Sequence, residues 1–387
     1  MLRYLTAGES HGPVLTAIVE GLPAGLKVTP EFLNVQTQRR MGGYGRGARM
    51  KTIETDEVNI TSGVRWGETL GSPVTVSVEN KDWKNTSKLL SIHEADRDLS
   101  TRVVKPRPGH ADLVGALKYG RDDVRDILER ASARETAVRV AACTLGRRLL
   151  EEFGIQVFSY VRQMGKTIAT KIPEDFSELI EKAEASPVRC PDPEATKGMM
   201  DEVDACLKAG DTLGGIYTVV VTGCPPGLGS HVQWDRKLDA RIAGAILSMQ
   251  AQKGVEFGMG FGMASRPGSQ VHDEFFYEKK KGYYRGTNNA GGLEGGMTTG
   301  APIVVSAVMK PISTLRKPLR SINMDTKEEF KAEVIRSDTS AVPAAGVIAE
   351  AVIAFEVANA LMEKFGGDSL AETRRSYNAY LEDLKKR

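Results

Sequence analysis

The segment KPRPGHAD, residues 105–112, opens the stretch that organises the chain, and RASARETA follows at residues 130–137. Two prolines remove backbone donors and favour extended predecessors, so the first segment is predicted to be a loop that bends at Gly109 before His110. In the second segment Ser132 and Glu135 have the S-x-x-E spacing of a capping box. This spacing predicts the start of a long apolar helix that ends before Gly154.

Two arginines flank this predicted helix start. Arg130 and Arg134 lie where free N–H groups and the helix dipole favour a bound anion. A capped core helix beside a surface loop would have the same pattern. The stretch alone therefore leaves both a structural and an anion-binding role open.

The composition indicates a globular protein whose net charge is too small to attract polyanions such as nucleic acids. The 387 residues include 52 basic and 50 acidic side chains, a net charge of +2, whereas nucleic-acid-binding domains are strongly basic. The four cysteines form no C-x-x-C pair, which favours reduced thiols in a cytoplasmic protein over disulfides or a zinc site. The N-terminal residues are too polar for a signal peptide. The apolar stretch 341–362 contains Glu350 and Glu356, so a buried helix is expected there rather than a membrane span.

Two short motifs occur twice, in the same order. GLPAGL at residues 21–26 is matched by GCPPGL at 223–228, and each follows a predicted strand and precedes a predicted helix. GSPVTV at 71–76 is matched by GAPIVV at 300–305. The two matches predict an internally duplicated fold whose halves share one core.

Local patterns predict the boundaries of several elements. Thr29 is the expected cap of one helix, with Pro30 at its first position, and Asp235 is the expected cap of another. Residues 172–210 are acidic, rich in lysine and weakly periodic. We expect a single domain over residues 1–387, from which this segment extends as a helical surface excursion.

Two histidines lie beside glycine in polar loops: His11 in GESHG, residues 8–12, and His110 in PGHAD. Histidine is the side chain best suited to proton transfer near neutral pH. Neither histidine has a second ligand at H-x-x-x-H spacing, so no metal is expected. GESHG also matches the nucleophile elbow G-x-S-x-G, which leaves a serine hydrolase acting through Ser10 as an alternative. The elbow joins a strand to a helix, however, and a strand is predicted after GESHG.

A glycine-rich loop, RRMGGYGRGARMK at residues 39–51, contains four arginines and one lysine without an acidic residue. Arginine makes bidentate contacts with carboxylate and phosphate. The pattern predicts a loop that closes on a small polyanion, and a non-catalytic RNA-binding protein is the alternative. The G-x-G-x-x-A match within it follows a helix rather than a strand, which argues against a Rossmann site.

Three later loops complete the set of candidates. NNAGGLEGGMTTG, residues 288–300, is too rich in glycine for a helix, and its backbone N–H groups can lie against a ring or a phosphate. KPIST follows at 310–314 and RSD at 336–338. Arg336 and Asp338 by themselves are compatible with a plain surface pair.

Together these motifs resemble the chorismate synthase family over nearly the whole chain. GESHG, RRxGGYGRGxRM, RPGHAD, SARETA, GGxxGGM and RSD stand in the family's order and approximate spacing. The chain departs from the common pattern at Ala131, where the family usually has serine, and at Gln250, where asparagine is common. It also has Thr339 where proline often follows the aspartate.

The resemblance implies an α/β (α+β) fold, a β-α-β sandwich with internal duplication and central helices packed between antiparallel sheets, assembled as a homotetramer. It implies a 1,4-elimination of phosphate from 5-enolpyruvylshikimate 3-phosphate, with loss of the C6 proton, giving chorismate. The implied cofactor is reduced FMN, although the reaction has no net redox change. The sequence leaves open whether NADPH reduces the flavin on the enzyme or an external reductant does. No nucleic-acid or membrane partner is expected, and the expected location is the cytoplasm.

The resemblance also implies residue roles. His11 would protonate the departing phosphate, His110 would act near the reduced flavin, and Asp338 would assist proton transfer at the flavin N5. Substrate contacts are implied for Ser10, Arg40, Arg46, Arg49 and Arg134. Flavin contacts are implied for Arg130, Ala131, Ser132, Gln250, Ala251, Gly295, Lys310, Pro311, Ile312, Ser313, Thr314 and Arg336.

Overall fold

The computed structural model describes residues 1–47, 56–279, 281–332 and 338–387. The strands of these residues are β1 Arg3–Ala7, β2 Val14–Glu20, β3 Val58–Ser62, β4 Val64–Arg65, β5 Glu68–Thr69, β6 Val74–Glu79, β7 Gln156–Met164, β8 Thr167–Ile168, β9 Gly215–Thr222, β10 Gln252–Phe257, β11 Phe275–Glu278, β12 Gly282–Arg285, β13 Leu293–Glu294, β14 Met297–Thr298, β15 Ile303–Met309, β16 Arg320–Ile322 and β17 Glu329–Lys331. The helices are α1 Pro30–Met41, α2 Trp83–Thr86, α3 Asp112–Tyr119, α4 Arg125–Ala131, α5 Thr136–Glu151, α6 Phe176–Ala185, α7 Pro193–Lys208, α8 Leu238–Leu247, α9 Val342–Phe365 and α10 Leu370–Lys386.

The first sheet contains four antiparallel strands in the order β1-β2-β6-β3. Val74, Val76 and Val78 of β6 are fully buried, whereas the residues between them are only partly buried. Side chains alternate between the two faces of a strand, so one face of this sheet packs on the core and the other lies towards solvent.

The second sheet has the order β10-β15-β9-β7-β8, and all its neighbouring strands are antiparallel. Its strand β9 is buried on both faces. Val219 and Val221 join the main core. Phe158 and Val220 form a separate apolar cluster with Leu179 of α6. The predicted helical excursion, which is α6 and α7, thus contributes a helix to the outer face of this sheet.

Helices α5 and α9 lie between the two sheets. Helix α5 packs on β2 and β6, α9 packs on β7 and β9, and the two helices pack on each other. Helix α9 is long and apolar enough to cross a membrane, but 94% of its most apolar window is buried inside the protein. It is therefore the central core helix, as predicted. One contiguous cluster of buried side chains includes residues of both sheets and of these helices.

The two G-x-P-x-G-L motifs make the same hydrogen bonds, each around one buried threonine. In the first motif the Thr69 hydroxyl accepts from the leucine N–H at 3.0 Å and donates to the proline carbonyl at 2.6 Å. In the second motif Thr298 makes the same two bonds at 2.8 Å and 2.7 Å. The strand orders also correspond. If the four strands of each set are numbered along the chain, both sets have the order first, second, fourth, third: β1-β2-β6-β3 in the first sheet and β7-β9-β15-β10 in the second.

The capping box predicted at Ser132 is wrong. Ser132 Oγ accepts from the Arg134 N–H at 3.3 Å and caps a short 3₁₀ turn, and α5 begins only at Thr136. Glu135 instead accepts a hydrogen bond from Thr6 Oγ1 at 3.0 Å. A tertiary partner has thus replaced the local one, because the carboxylate points towards β1.

The predicted cap at Thr29 is confirmed, and the cap at Asp235 is not. Thr29 Oγ1 accepts from the Phe32 N–H at 3.3 Å, and Pro30 is the first residue of α1. Asp235 lies in a 3₁₀ turn, and α8 begins at Leu238 without a side-chain cap. Proline fixes the backbone dihedral at the first helix start, whereas nothing comparable marks the second.

Candidate functional site

His11 lies in the loop between β1 and β2, where a buried acid of α4 holds it. His11 Nδ1 lies 2.9 Å from Glu129 Oε2. The same oxygen accepts from the His11 N–H at 3.0 Å and from the Ser10 hydroxyl at 2.5 Å. Burial raises the pKa of the Glu129 carboxyl, but the hydrogen bonds from His11 and Ser10 outweigh burial and leave the pKa below its ordinary value. Glu129 is therefore ionised at neutral pH and anchors the loop.

The geometry of this group excludes the serine hydrolase alternative. Ser10 Oγ lies 3.0 Å from His11 Nδ1, the same ring nitrogen that faces Glu129. A catalytic triad needs the serine at one ring nitrogen and the acid at the other. In addition, GESHG joins the antiparallel strands β1 and β2 rather than a strand and a helix.

His110 is held by a second buried acid, at the start of α3. Its Nδ1 pairs with Asp112 Oδ1, and Arg107 Nε donates to Asp112 Oδ2 at 2.9 Å. Burial raises the pKa of Asp112, but the hydrogen bonds and charges of His110 and Arg107 lower it to about 2. The Lys310 Nζ donates to Gly109 O at 2.5 Å, so the residues after β15 lie against the histidine loop.

Two predicted substrate residues, Arg40 and Arg134, converge on one buried carboxylate. Arg40 Nη1 lies 3.0 Å from Asp56 Oδ2, and Arg134 Nη1 pairs with Asp56 Oδ1. The Arg40 Nε also donates to Thr136 Oγ1 at 2.9 Å. Asp56 is fully buried, so the two guanidinium groups are held side by side by a fixed charge between them.

Asn80 connects this arginine pair with the His11 loop. The Arg134 Nε donates to Asn80 Oδ1 at 3.0 Å. The amide nitrogen of Asn80 donates to Gly12 O at 2.8 Å and to Glu9 O at 3.2 Å. The loop of His11, the predicted proton donor, and the predicted anion-binding residues Arg40 and Arg134 therefore belong to one hydrogen-bonded group.

Arg46 and Asp338 form an ion pair, with 2.6 Å between Arg46 Nη1 and Asp338 Oδ2. Asp338 Oδ1 accepts from the Gly47 N–H at 2.6 Å. The sequence places Asp338 next to a different arginine, Arg336. Both Arg336 and the predicted substrate residue Arg49 lie outside the described residues.

The described arginines of the 39–51 loop do not form an open cationic surface. Arg39, Arg40 and Arg46 are 17%, 5% and 8% exposed, and each is paired with an acid. Non-specific binding of RNA requires cations that face the phosphate backbone. The geometry of these three residues therefore disfavours the RNA-binding alternative.

The first group of predicted flavin residues lies around Thr6. Arg130 Nη2 donates to Thr6 O at 3.0 Å and to Thr6 Oγ1 at 2.7 Å. The Thr6 hydroxyl also contacts Glu135, whose other oxygen lies 3.5 Å from Gln250 Nε2. Ala131 and Ser132 follow Arg130 directly at the end of α4. Among the described residues, buried Gln250 Oε1 has no hydrogen-bond partner.

The second group follows β15 and joins the first through Ala251. Ala251 has a positive φ of 67°, and its carbonyl accepts from the Lys310 N–H at 2.9 Å. Pro311, Ile312, Ser313 and Thr314 continue from Lys310, and Ile312 O accepts from Thr212 Oγ1 at 2.6 Å. A Cβ on Gly109 would lie 3.3 Å from Ser313 Cβ, so this segment also adjoins the His110 loop.

Gly295 lies at the other end of the second sheet. Lys310 follows Met309, which pairs with Gly215 at the start of β9. Gly295 lies in the β13–β14 hairpin, and β14 contacts the segment that follows the end of β9. Strands rise about 3.4 Å per residue, so these two ends are roughly 24 Å apart. Among the described residues, Gly295 is thus the predicted flavin residue that lies at the opposite end of the second sheet from Lys310.

Sequence reasoning missed the acids and the amide that organise the site: Asp56, Asn80, Asp112 and Glu129. Asp112 could have been found from the sequence, because it stands two residues after His110 in the RPGHAD motif. Glu129 is 118 residues from His11 in the chain. No local spacing links two residues at that separation.

Known proteins resemble this chain over nearly its whole length. The chorismate synthase family model matches residues 2–362. The chain belongs to the chorismate synthase family. It is 58% identical over 392 residues to chorismate synthase of Geobacter metallireducens, with all of both chains covered. It is 58% identical over 371 residues to that of Listeria welshimeri, with 95% of each chain covered. A crystal structure of chorismate synthase matches with a TM-score of 0.80 and 41% identity, covering all of this chain and 99% of the other.

Membership of the chorismate synthase family makes this chain a lyase of the shikimate pathway, as the sequence motifs indicated. The match to the crystal structure also confirms the mixed helix and sheet architecture. Among the described residues, no group of three or more histidine, cysteine, aspartate or glutamate side chains is arranged to hold a metal ion.

Proposed function

We propose that the His11 and His110 loops and the arginines around Asp56 form the active site for the 1,4-elimination of phosphate from 5-enolpyruvylshikimate 3-phosphate. The C3–O bond breaks, the phosphate leaves with its electron pair, and the C6 proton is lost to give chorismate. The observation that supports this assignment best is the link through Asn80 between Arg134 and the His11 loop. It brings an anion-binding group and a proton donor together.

The charges of the substrate suit this group. The substrate has one phosphate and two carboxylates, and Arg40, Arg46 and Arg134 are guanidinium groups whose orientations are fixed by buried or half-buried acids. Guanidinium groups that are already oriented bind an anion with a smaller loss of side-chain entropy. Ser10 completes the proposed substrate contacts from the histidine loop, and Arg49 is retained from the family resemblance.

His11 protonates the departing phosphate oxygen in this proposal. Its ring is anchored by Glu129, whose Oε2 lies 2.9 Å from the Nδ1 atom. His110 and Asp338 are the other proposed catalytic groups. His110, oriented by Asp112, would act near the reduced flavin. Asp338, which accepts a hydrogen bond from the Gly47 N–H, would assist proton transfer at the flavin N5.

Reduced FMN is the proposed cofactor, and the residues present fit it. Gln250 Oε1 is a buried acceptor without a partner among the described residues, as expected where a donor of a bound group is to lie. Arg130 and Lys310 are cations suited to a phosphate-bearing molecule. The proposed contacts further include Ala131, Ser132, Ala251, Pro311, Ile312, Ser313 and Thr314, with Arg336 from the family resemblance. Gly295 is not proposed as a contact of the same chain, because it lies at the opposite end of the second sheet. When bound, the reduced flavin supplies electron density that weakens the C–O bond, because the C6–H bond is not acidic.

The wider organisation is also part of the proposal. We infer an internally duplicated single domain, because the two threonine-centred motifs and the two strand orders correspond. From the family resemblance we propose a cytoplasmic homotetramer. NADPH is the candidate flavin reductant, with an external reductant as the alternative.

The proposed activity is tested by an anaerobic assay with chemically reduced FMN and 5-enolpyruvylshikimate 3-phosphate, in which chorismate absorbance is followed. We expect turnover by the wild-type chain and a loss of roughly a hundredfold in His11→Asn, the scale of lost general acid catalysis. His272→Asn, a histidine of an exposed loop, is the matched control and should leave turnover unchanged. Absence of chorismate with fully reduced FMN, or full activity of His11→Asn, would contradict the proposal.

A further inference from the structure

The Nδ1 atom of each proposed catalytic histidine faces a buried carboxylate, but the two carboxylates differ in how their charge is balanced. Asp112 has Arg107 Nε at 2.9 Å. Glu129 has Arg125 Nη1 only at 3.7 Å, and its Oε1 has no hydrogen-bond partner among the described residues. The negative charge of Glu129 is therefore directed mainly at the His11 loop.

We propose that Glu129 is the positioning residue of His11, which holds the ring with Nδ1 protonated and so makes Nε2 the nitrogen that faces the substrate. The inference rests on the proposed function only for the role of His11 as the acid. Three contacts to Glu129 Oε2, from His11 Nδ1, His11 N and Ser10 Oγ, fix the ring and its loop together. The main chain adds a fourth contact, from Ser10 N to Glu129 O at 3.0 Å.

The chemistry of the imidazole ring explains why this matters. A neutral histidine carries its proton on one of the two ring nitrogens. The hydrogen-bond partners of these nitrogens decide which one is protonated. A carboxylate accepts only, so Glu129 requires a proton on Nδ1. In the doubly protonated ring, Nδ1–H stays bound to Glu129, and the proton on Nε2 is the one that can move to the departing phosphate oxygen. This arrangement is analogous to the carboxylate that orients a metal-binding or catalytic histidine through its remote nitrogen.

The tautomer can be measured in the wild-type protein without any turnover. The full chain has five histidines, so a protein labelled with ¹⁵N-histidine gives few ring signals. The His11→Asn variant identifies those of His11 by their loss. At a pH where the His11 ring is neutral, we expect the long-range ¹H–¹⁵N spectrum to show Nδ1 protonated and Nε2 not. A neutral His11 with its proton on Nε2 would overturn the proposal, whether or not the chain makes chorismate.

The Glu129→Gln variant tests the functional consequence, because the amide keeps the shape and loses the charge. We expect kcat to fall roughly 10- to 100-fold with KM within about threefold, and a larger share of neutral His11 to carry its proton on Nε2. Glu129→Asp should recover part of kcat. Asp273→Asn is the matched control, since Asp273 is a buried loop carboxylate that accepts from Thr287, Asn289 and Ala290. It should leave kcat and the His11 signals unchanged.

These outcomes separate the positioning role from the proposed activity. An unchanged kcat in Glu129→Gln, or an equal loss in Asp273→Asn, would overturn the positioning role. A wild-type chain with the expected tautomer and no chorismate production would overturn the proposed function and leave the assignment of Glu129 to His11 intact. If Glu129→Gln does not fold, the wild-type spectrum still decides the proposal.

Discussion

At the residue scale, the protonation state of the site acids follows from their partners rather than from residue type. Burial raises the pKa of Asp112, and His110 and Arg107 lower it to about 2, below its ordinary 3.8. A carboxyl whose pKa is lower in the folded state contributes stability above the unfolded value, and this contribution is lost as pH falls. The contacts of the Asp112 carboxylate thus stabilise the His110 loop above about pH 3.8, and this stabilisation is lost as the pH falls towards 2.

The first prediction concerns Asp338, whose carboxylate binds both Arg46 and the Gly47 N–H. In Asp338→Asn the amide oxygen can keep the Gly47 contact, but the proposed proton acceptor and the charge opposite Arg46 are lost. We expect flavin binding to survive and turnover to fall roughly a hundredfold, a barrier increase of about 2.7 kcal/mol. Anaerobic turnover at saturating reduced FMN and the flavin dissociation constant are the measurements.

The matched control for this variant is Asp325→Asn, which removes an exposed partner of Arg102. Exposed pairs contribute about 0–1 kcal/mol, so this change should leave turnover unchanged. Normal turnover in Asp338→Asn, together with normal flavin affinity, would show that Asp338 serves only as the ion-pair partner of Arg46.

At the element scale, the short helices α3 and α4 determine where the two histidine-binding acids lie. They pack on each other, and α3 begins with Asp112 while α4 carries Glu129. Gly115 of α3 permits their close approach, because a Cβ at this position would lie 2.3 Å from Ile127 Cγ2. The separation of the two helices thus depends on a position without a side chain.

The second prediction tests this contact. Gly115→Ala should lower the free energy of unfolding by about 1–3 kcal/mol through overpacking, and should lower turnover because α3 and α4 move apart. Gly244→Ala in α8 is the control, since a Cβ there meets nothing within 4 Å. It should raise stability by about 0.5–1 kcal/mol. Denaturant unfolding and the chorismate assay measure both effects, and equal behaviour of the two variants would contradict this role of Gly115.

The core helix α9 contains a buried charge cluster. Glu350 is fully buried and binds Arg39, Arg147 and Arg189 at 2.7–3.1 Å, as well as the Ser159 hydroxyl at 2.6 Å. Burial raises the pKa of Glu350, but the charges of the three arginines lower it to about 2. Through Arg39, this cluster connects α9 to α1, the helix that also carries Arg40.

The third prediction is a large loss of stability in Glu350→Gln. Removing one member of a buried ion-pair group leaves its partners uncompensated, so we expect the free energy of unfolding to fall by about 3 kcal/mol or more. The loss should be present above pH 4.5, the ordinary pKa of the carboxyl, and should shrink as pH falls towards 2, where wild-type Glu350 also becomes neutral. Urea unfolding at several pH values measures it.

Glu363→Gln provides the comparison for Glu350. Glu363 pairs with Arg241 at 2.9 Å and is 29% exposed. Its loss should cost about 0–1 kcal/mol, because water screens the partly exposed Glu363 and Arg241 keeps its pair with Glu356 at 3.0 Å. Similar losses in the two variants would mean that the cluster around Glu350 relaxes on mutation and does not hold α1 against α9.

At the scale of the whole molecule, two small hairpins make equivalent contacts: β4–β5 with the first G-x-P-x-G-L motif and β13–β14 with the second. Thr69 and Thr298 are both buried, and each hydroxyl joins a leucine N–H to a proline carbonyl. The fourth prediction is that Thr69→Val and Thr298→Val each lower the free energy of unfolding by about 1–3 kcal/mol, since a backbone N–H and a carbonyl lose their partner. Denaturant unfolding should give two losses within about 1 kcal/mol of each other.

Thr69→Ser and Thr298→Ser keep the hydroxyl and serve as controls for the loss of the methyl group. They should retain the hydrogen bonds and most of the stability. A loss confined to one of the two valine variants would contradict the equivalence of the halves, and with it the inferred internal duplication.

The sequence by itself was sufficient for features that depend on neighbours in the chain. Thr29 with Pro30 marked the start of α1, the repeated G-x-P-x-G-L motifs marked two equivalent turns, and the continuous apolar stretch marked α9 as a buried helix. Period and spacing determine such features locally. The ordered set of motifs also identified the family, because several short motifs in one order rarely coincide by chance.

The tertiary structure alone decided which charged groups bind each other. Glu129 selects His11, Asp56 selects Arg40 and Arg134, and Glu135 turns to Thr6 instead of capping its own helix. A carboxylate that becomes buried must find a donor among the groups that packing brings near it, whatever their distance along the chain. No local pattern records that choice, and it is made only when the strands, α4 and α5 pack together.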